Sequence, residues 1–521
     1  MGRQNENASK TISVVMVITL LGKVLGLVRD RLLAVNYGTG MEANAFYTAS
    51  RIPRVFFDAV FASAIAACFI PVFSGYLTRE GKEKAMRFAG TFLTVMTVLT
   101  ALLSAVGMGF AGPLVELFAD GYDQETAALA VELTRVMFPT VLFTGIAFSF
   151  VGILQSLDEF NVPAIISTVS NVVIIAYYFT LNRRFGIYGL AVAFLLGWLL
   201  QAVVQVPALG RKGFRYYPGF DWRSEGMKQV FALMVPVMVS TWVQPINLTI
   251  NSKFGSRLYE GAGVSAIEIS TNLYLIIAGV FVLSVTNVIF PKLSRQTAQG
   301  DGDAFRQTLS QTTHSTLFFV LPMSAGLMAL ARPLIGFVFG GGEFDAQAVG
   351  ITADALVWIS LGMAGYAVQN ILSRAYFAKQ DGRTPLIAGG VSIAVNILLC
   401  MVLVEPMKVA GLAIASAVSS TVYALLLLLP FQLRRESRVF DGRFWLDMLK
   451  MLVAAAVMAG AVIALNGWLT GVLGTGKLGQ LVTLGAGAGC GVAVYFVAAL
   501  LLRVPEIALV TGIVKRILKR G

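Results

Sequence analysis

Charge is scarce in this chain. Only 13% of its 521 residues are Asp, Glu, Lys or Arg, where a soluble domain carries about 25%, and 57% are hydrophobic. That balance excludes an ordinary cytosolic enzyme and a disordered chain, and leaves a polytopic membrane protein. Histidine is nearly missing. The single one, His314, excludes a His-based metal cluster. The three cysteines, Cys68, Cys400 and Cys490, each lie in an apolar run without a CxxC, so neither a disulfide framework nor a zinc site is indicated. There is no HExxH, paired-Asp motif, GxSxG or phosphate loop. The chain therefore reads as a non-enzyme without a cofactor. Acidic residues are the minority sign, 28 against 40 basic, for a net charge of +12. On a membrane chain that excess belongs to cytoplasmic loops rather than to nucleic-acid binding. The polar start MGRQNENASK runs into an apolar segment with no small-residue cleavage site behind it, which reads as a retained first helix.

Apolar runs long enough to span are plentiful. Crossing the hydrocarbon core takes about 20 residues. Fourteen segments qualify, at 11–35, 43–77, 86–111, 126–156, 161–182, 186–209, 226–252, 264–291, 304–330, 346–377, 384–404, 409–432, 446–468 and 478–502. All are Leu-, Ala-, Val-, Phe- and Gly-rich helix-type runs, without the short alternation of a membrane β-barrel. With the N-terminus inside, the inner segments hold 27 cations and the outer loops seven. This bias predicts an N-in, C-in topology. The Arg183-Arg184 pair runs against it. The tail VPEIALVTGIVKRILKRG reads as a basic anchor helix at an anionic leaflet.

Landmarks recur. FIPVFS at 69–74 matches IFPKLS at 289–294, and PLVELFADG at 113–121 matches PLIGFVFGG at 333–341, both at an offset of 220. Pro163 answers Pro385, and IYGLAVA at 187–193 answers VAGLAIA at 409–415, at an offset of 222. The expected fold is all-α, with two six-helix repeats of the same topology and two added C-terminal spans. Residues 1–210 and 211–435 form the two bundles, and 436–521 the added spans and tail. Like-oriented repeats suit alternating access, with a site near the midplane.

Beyond those counted with the inner segments and outer loops, six cations lie within spans: Lys23, Arg29, Arg31, Arg51, Arg54 and Arg135. Each central charge costs about 2.5–3.5 kcal/mol on insertion scales, so such residues face a bundle interior or a watery cavity. In span 2, Arg51, Arg54 and Asp58 follow i, i+3, i+7 spacing around Pro53, where a kink is expected. An Arg54–Asp58 pair would neutralise itself and leave Arg51 to an anion. In span 1, Lys23 and Asp30 share a face, and Arg29 joins them only if Gly22 or Gly26 bends the helix. Glu132 and Arg135 are spaced to pair. Span 7 carries Gln244, Asn247 and Asn251, either packing amides or substrate contacts. Glu268 and Asp354 are candidates for a Na+ or H+ site, and Asn272 follows Glu268 by one turn. Arginine is the best geometric match to phosphate oxygens, so the substrate expected of this cationic face is anionic.

Together these features resemble the MurJ (MviN) family within the multidrug/oligosaccharidyl-lipid/polysaccharide exporter superfamily. The resemblance is most specific in GKVLGLVRDRLLAVNYGTGMEANAFYTASRIPRVFFDAVFASAIAACFIPVFSGY at 22–76, and continues through QPINLTIN at 244–251 and IFPKLS at 289–294. It implies fourteen spans, the last two forming a groove for an undecaprenyl chain. The implied activity is flipping lipid II, the undecaprenyl-linked disaccharide-pentapeptide pyrophosphate, to the outer leaflet of the bacterial plasma membrane. The alternatives are a flippase for another undecaprenyl-linked saccharide, or a drug/cation antiporter. Antiporters of the superfamily usually have twelve spans and a more acidic site. The implied partners are the lipid-linked glycan, the bilayer and cell-wall synthesis proteins, with no nucleic acid. The implied drive is a Na+ or H+ gradient, the substrate gradient or the membrane potential. Lys23 and Arg29 match the family's span 1 cations, with Lys23 in place of an arginine. Phe57 and Asn272 stand where members carry arginines, Arg54 lies one turn before Phe57, and Asn44 stands where an acidic residue is usual.

Overall fold

A computed structural model describes residues 2–57, 68–241, 243–433, 438–474 and 476–507, with side chains omitted at 2–13, 235–241 and 244. The described chain is helical, and the one β pairing among the described residues is an isolated bridge between Gly341 and Phe344. It divides into two compact units, Met1–Ser265 and Ala266–Gly521. The first holds α1 Gly2–Tyr37, α2 Met41–Phe57, α3 Ile70–Arg79, α4 Lys82–Gly109, α5 Ala111–Phe118 and α6 Gln124–Met137. It continues with α7 Thr140–Ser156, α8 Asn161–Thr180, α9 Asn182–Val203, α10 Val206–Arg211, α11 Glu225–Thr241 and α12 Val243–Gly255. α13, Ala262–Tyr274, carries the boundary. The second unit holds α14 Val280–Ala298, α15 Gly302–Val338, α16 Ala346–Leu361, α17 Met363–Ala378, α18 Arg383–Leu433, α19 Gly442–Leu473 and α20 Lys477–Leu501.

Among the described residues nine helical stretches are long and apolar enough to cross a membrane, or ten with α16 and α17 as one span bent by 45°. They are helices because hydrocarbon offers backbone amides no other partner. Where the chain meets water, aspartates take over the unpaired first-turn amides. Asp123, Asp301, Asp345 and Asp441 cap α6, α15, α16 and α19 through their side chains.

The ends of the helices repeat as the sequence landmarks do. The capping residues Asp123 and Asp345 are 222 residues apart. So are Asp158 (φ 56°) and Gln380 (φ 59°), left-handed residues that close α7 and α17. At both, the amide of the next residue donates back around the turn, Glu159 to Leu154 at 2.9 Å and Asp381 to Tyr376 at 3.0 Å. The same spacing separates Gly186 (φ 52°, ψ −143°), near the start of α9, from Lys408 (φ 52°, ψ −131°), which breaks α18 between the two spans expected there.

Aromatic packing fills the first unit. Phe69 stacks on Phe92 at 4.3 Å and on Phe73 at 5.3 Å, and all three are essentially inaccessible to solvent. Pro71 sits in the first turn of α3, where its missing N–H costs nothing. Pro53 lies inside α2, which runs unbroken to Phe57. In the second unit α19 and α20 dock on α15 at three levels. Tyr495 Oη donates to Phe318 O at 2.7 Å, Asn466 Nδ2 to Ala329 O at 3.4 Å, and Lys477 Nζ to the carbonyls of Gly336, Phe337 and Gly340 at 2.7, 2.9 and 2.5 Å.

The backbone at 186 and 408 is a conformation that a Cβ disfavours, at about 1–3 kcal/mol. Lys408→Gly is expected to raise stability by about 1–2 kcal/mol and Gly186→Ala to lower it by a similar amount, read as opposite shifts of the thermal midpoint in detergent.

Candidate functional site

Arg29 projects from α1, which runs as one continuous helix through Gly22 and Gly26. The two glycines expected to bend that helix serve close packing instead. A Cβ on Gly22 would lie 2.8 Å from Ser167 Oγ on α8, and the Gly22 carbonyl accepts from Asn171 Nδ2 at 3.0 Å. The same Asn171 receives Arg29 Nη1 on its Oδ1 at 3.1 Å. Arg29 Nε and Nη2 both reach Asp30 Oδ1, at 3.0 and 2.7 Å. The guanidinium is thus neutralised by its chain neighbour and aimed by α8. Of its five N–H groups these contacts use three, and the side chain keeps 29% of its surface exposed. The remaining two can donate to a pair of anionic oxygens. Lys23 is exposed on the same helix, and Asp30 is engaged with Arg29 rather than with it.

On α2 the arginines divide. Arg51 is buried at 8% exposure, with Nη1 directed at Leu248 O on α12 at 3.3 Å, whereas Arg54 is exposed. The buried guanidinium ties α2 to α12, and the other is accessible to solvent. Asp58 lies outside the described residues. On α12, Asn251 is buried, Asn247 is half-buried, and the side chain of Gln244 is not described.

A polar network that sequence reading did not identify closes one end of this unit. Asn44, buried at the start of α2, donates to Thr39 O at 2.7 Å and accepts from Ser265 Oγ. Tyr122 Oη lies 2.7 Å from Thr48 Oγ1 and donates to Asn44 O at 2.9 Å. Next to it Asp120 accepts from Arg257 through both oxygens, at 3.0 and 2.6 Å, and meets Lys253 at 3.2 Å. Gly121 N donates to Ser256 Oγ at 3.0 Å. The sequence signals were the ADGYD turn at 119–123 and a Lys253–Arg257 pair spaced by one helical turn.

In the second unit Glu268 is buried, with Asn272 Nδ2 at 3.5 Å from its Oε1. Ser270 Oγ on the same helix donates to Thr352 O on α16 at 2.9 Å. Asp354, two residues further and about 200° round α16, is exposed. Asp354 and Glu268 therefore do not form one ion-binding cluster. Glu132 accepts from the Tyr188 hydroxyl instead of forming an ion pair with Arg135.

Comparison with known proteins gives a consistent result. A family model described as "Lipid II flippase MurJ" matches residues 33–482. The lipid II flippase MurJ of Burkholderia cenocepacia is 31% identical over 464 residues, covering 87% of this chain and 89% of its own. A probable lipid II flippase MurJ of Vibrio cholerae is 29% identical over 503 residues, covering 94% and 95%. Among solved structures, a lipid II flippase MurJ in an inward closed conformation superposes with a TM-score of 0.76 at 23% identity, covering 94% of this chain and 98% of that one. An inward-facing multidrug resistance MATE family transporter gives 0.67 at 16% identity, covering 80% and 96%. At these identities the superpositions show the fold.

The Asp120 cluster carries a pH signature. The hydrogen bonds from Arg257 hold the Asp120 carboxyl below the usual carboxylate range. A lowered folded-state value means the stabilisation is complete above the unfolded value near 3.8 and is lost as pH falls through the folded one. The cluster is partly solvated, so its worth is about 1 kcal/mol. Asp120→Asn is expected to lower the thermal midpoint at pH 7, and the difference from the parent chain should shrink as pH falls below the ordinary carboxylate value near 3.8, in melts across that range.

Proposed function

The chain belongs to the lipid II flippase MurJ family and is a lipid II flippase, and we propose that it works by alternating access with Arg29 and Arg54 as the cations that receive the pyrophosphate headgroup. The observation that carries the proposal is the state of Arg29. Asp30 and Asn171 fix its orientation and leave two N–H groups for phosphate oxygens. Fixing the fork before substrate arrives removes the entropy that a loose side chain would lose on binding. It also lets a permanent cation sit within a span without an uncompensated charge.

The finer architecture follows the same reading. To the nine apolar stretches and the α16–α17 pair we add the division of α18 at Lys408, then α1, residues 41–79 and residues 225–255. That makes fourteen spans, and the loop cations orient them N-in, C-in. The recurrence at 222 supports two six-span repeats of one topology, at 1–210 and 211–435, with 436–521 appended. Asn247, Asn251 and Asn272 are assigned to the glycan and peptide part of the substrate, and Lys23 to the headgroup's approach. For coupling to Na+ or H+ we favour Glu268, which is buried beside an amide, over the exposed Asp354.

The wild-type chain is expected to restore growth to bacteria depleted of their own lipid II flippase. Arg29→Ala should abolish that rescue at equal protein level, and Arg29→Lys should restore it only in part, because the ammonium lacks the planar fork. Arg54→Ala should cut flipping by about tenfold, the worth of one charge-assisted hydrogen bond. Full rescue by Arg29→Ala would remove the assigned role. Co-purification of a different undecaprenyl-linked saccharide would redirect the substrate.

A further inference from the structure

α15 opens with a polar stretch, GDAFRQTLSQTTHST, before its apolar run begins at Leu317. α19 likewise starts on Arg443, Asp447 and Lys450, and α20 ends close by at Leu501. These ends meet at one membrane–water boundary, around a cavity of about 580 Å³ lined by His314, Asp441, Arg443, Asp447 and Glu506. The termination of α20 delivers Glu506. Arg503 adopts φ 54° and Val504 N donates to Ala499 O at 2.9 Å, turning the chain so that Glu506 meets His314 on α15.

Glu506 is buried, its side chain at 9% exposure, and His314 is partly buried at 12%. Imidazole Nδ1 contacts Glu506 Oε1, and the ring packs on Phe444 with centroids 5.2 Å apart. Glu506 Oε2 and His314 Nε2 are buried and have no hydrogen-bond partner among the described residues. Glu506 Oε2 is an acceptor, and His314 Nε2 can accept in the tautomer that carries its proton on Nδ1. Buried acceptors are costly to leave unmatched. The other lining carboxylates are engaged, Asp441 with the Phe444 amide at 2.9 Å and Asp447 with Lys450 at 2.6 Å. Ser310, Gln311 and Ser315 line the same cavity, but the Ser315 hydroxyl donates to Gln311 O at 2.8 Å and, among the described residues, no donor reaches Glu506 Oε2 or His314 Nε2. An anion would face lone pairs and carboxylates there, whereas a group with several N–H bonds would satisfy both orphaned atoms. Arg443 stands exposed at the rim, and Leu446 and Leu449 are exposed beside it at 54% and 56%.

We propose that this cavity binds the primary ammonium of an aminophospholipid headgroup, with N–H bonds to Glu506 Oε2 and His314 Nε2, the phosphate at Arg443 and the tails along Leu446 and Leu449. The site is separate from the cations assigned to the transported headgroup and does not depend on that assignment. The full chain, reconstituted in phosphatidylcholine nanodiscs containing equal phosphatidylethanolamine and phosphatidylglycerol, is released into detergent and its retained lipids are weighed by native mass spectrometry. Phosphatidylethanolamine is expected to be retained about fivefold over the other two. Retention should fall stepwise as the headgroup nitrogen is methylated, because each methyl removes a donor. Glu506→Gln should remove the preference, and Arg443→Gln, at an exposed position, should weaken it. Equal retention of all three lipids, indifference to methylation, or an unchanged preference in a well-folded Glu506→Gln overturns the proposal. Displacement of the lipid by millimolar free ethanolamine overturns the lipid as source and assigns the site to a soluble amine. The methylation series uses the parent chain and so decides the matter even if a variant fails to fold.

Discussion

A guanidinium or a backbone amide inside hydrocarbon has no water to fall back on, and each must find its partner within the protein. The consequences run through the whole chain. Backbone amides are satisfied by helices, and at the wet ends aspartate side chains take over the first turns. Arg29 meets the same demand through a neighbouring carboxylate and an amide from α8. Arg51 meets it through a carbonyl of α12. Glu506 and His314 are among the buried groups left without a partner in the described residues, and the proposed ammonium would supply one.

The same constraint explains why the cationic face is suited to transport rather than to tight storage. A permanently bare arginine would bind a pyrophosphate strongly and release it slowly. Arg29 shares its charge with Asp30 before any substrate arrives, so binding exchanges part of one ion pair for another. In the proposed headgroup role, the geometry of the fork would supply selectivity for phosphate, while the shared charge would limit affinity. Arg51 has a structural part beside this, since its burial joins α2 to α12 and holds Arg54 at the exposed turn that follows.

Much of the fold was legible in the sequence because hydrocarbon imposes a coarse rule. Apolar runs of the right length announce themselves, and the expected limits 161–182 and 478–502 fall within a few residues of α8 and α20. The offset of 222 read from Pro163 and Pro385 reappears in the left-handed closures at Asp158 and Gln380. The site was legible only in outline. Arg29 could be nominated from its position in a span, but its partner Asn171 lies 142 residues away and had no motif. Tyr122, Asp120 and Arg257 were missed for the same reason, since contacts across 74 and 137 residues leave no local spacing to read.

The chain's order therefore determined its solvent, its spans, its excess of cations and the positions at which helices must stop, because these depend on local length, polarity and turn chemistry. Tertiary structure decided which arginine is exposed and which is held. Arg51 and Arg54 are three residues apart and look alike in sequence, yet one is buried against Leu248 and the other is exposed. That choice depends on which distant helix packs against which turn. So does the pairing of a lone histidine with a glutamate 192 residues away, which no local spacing could specify.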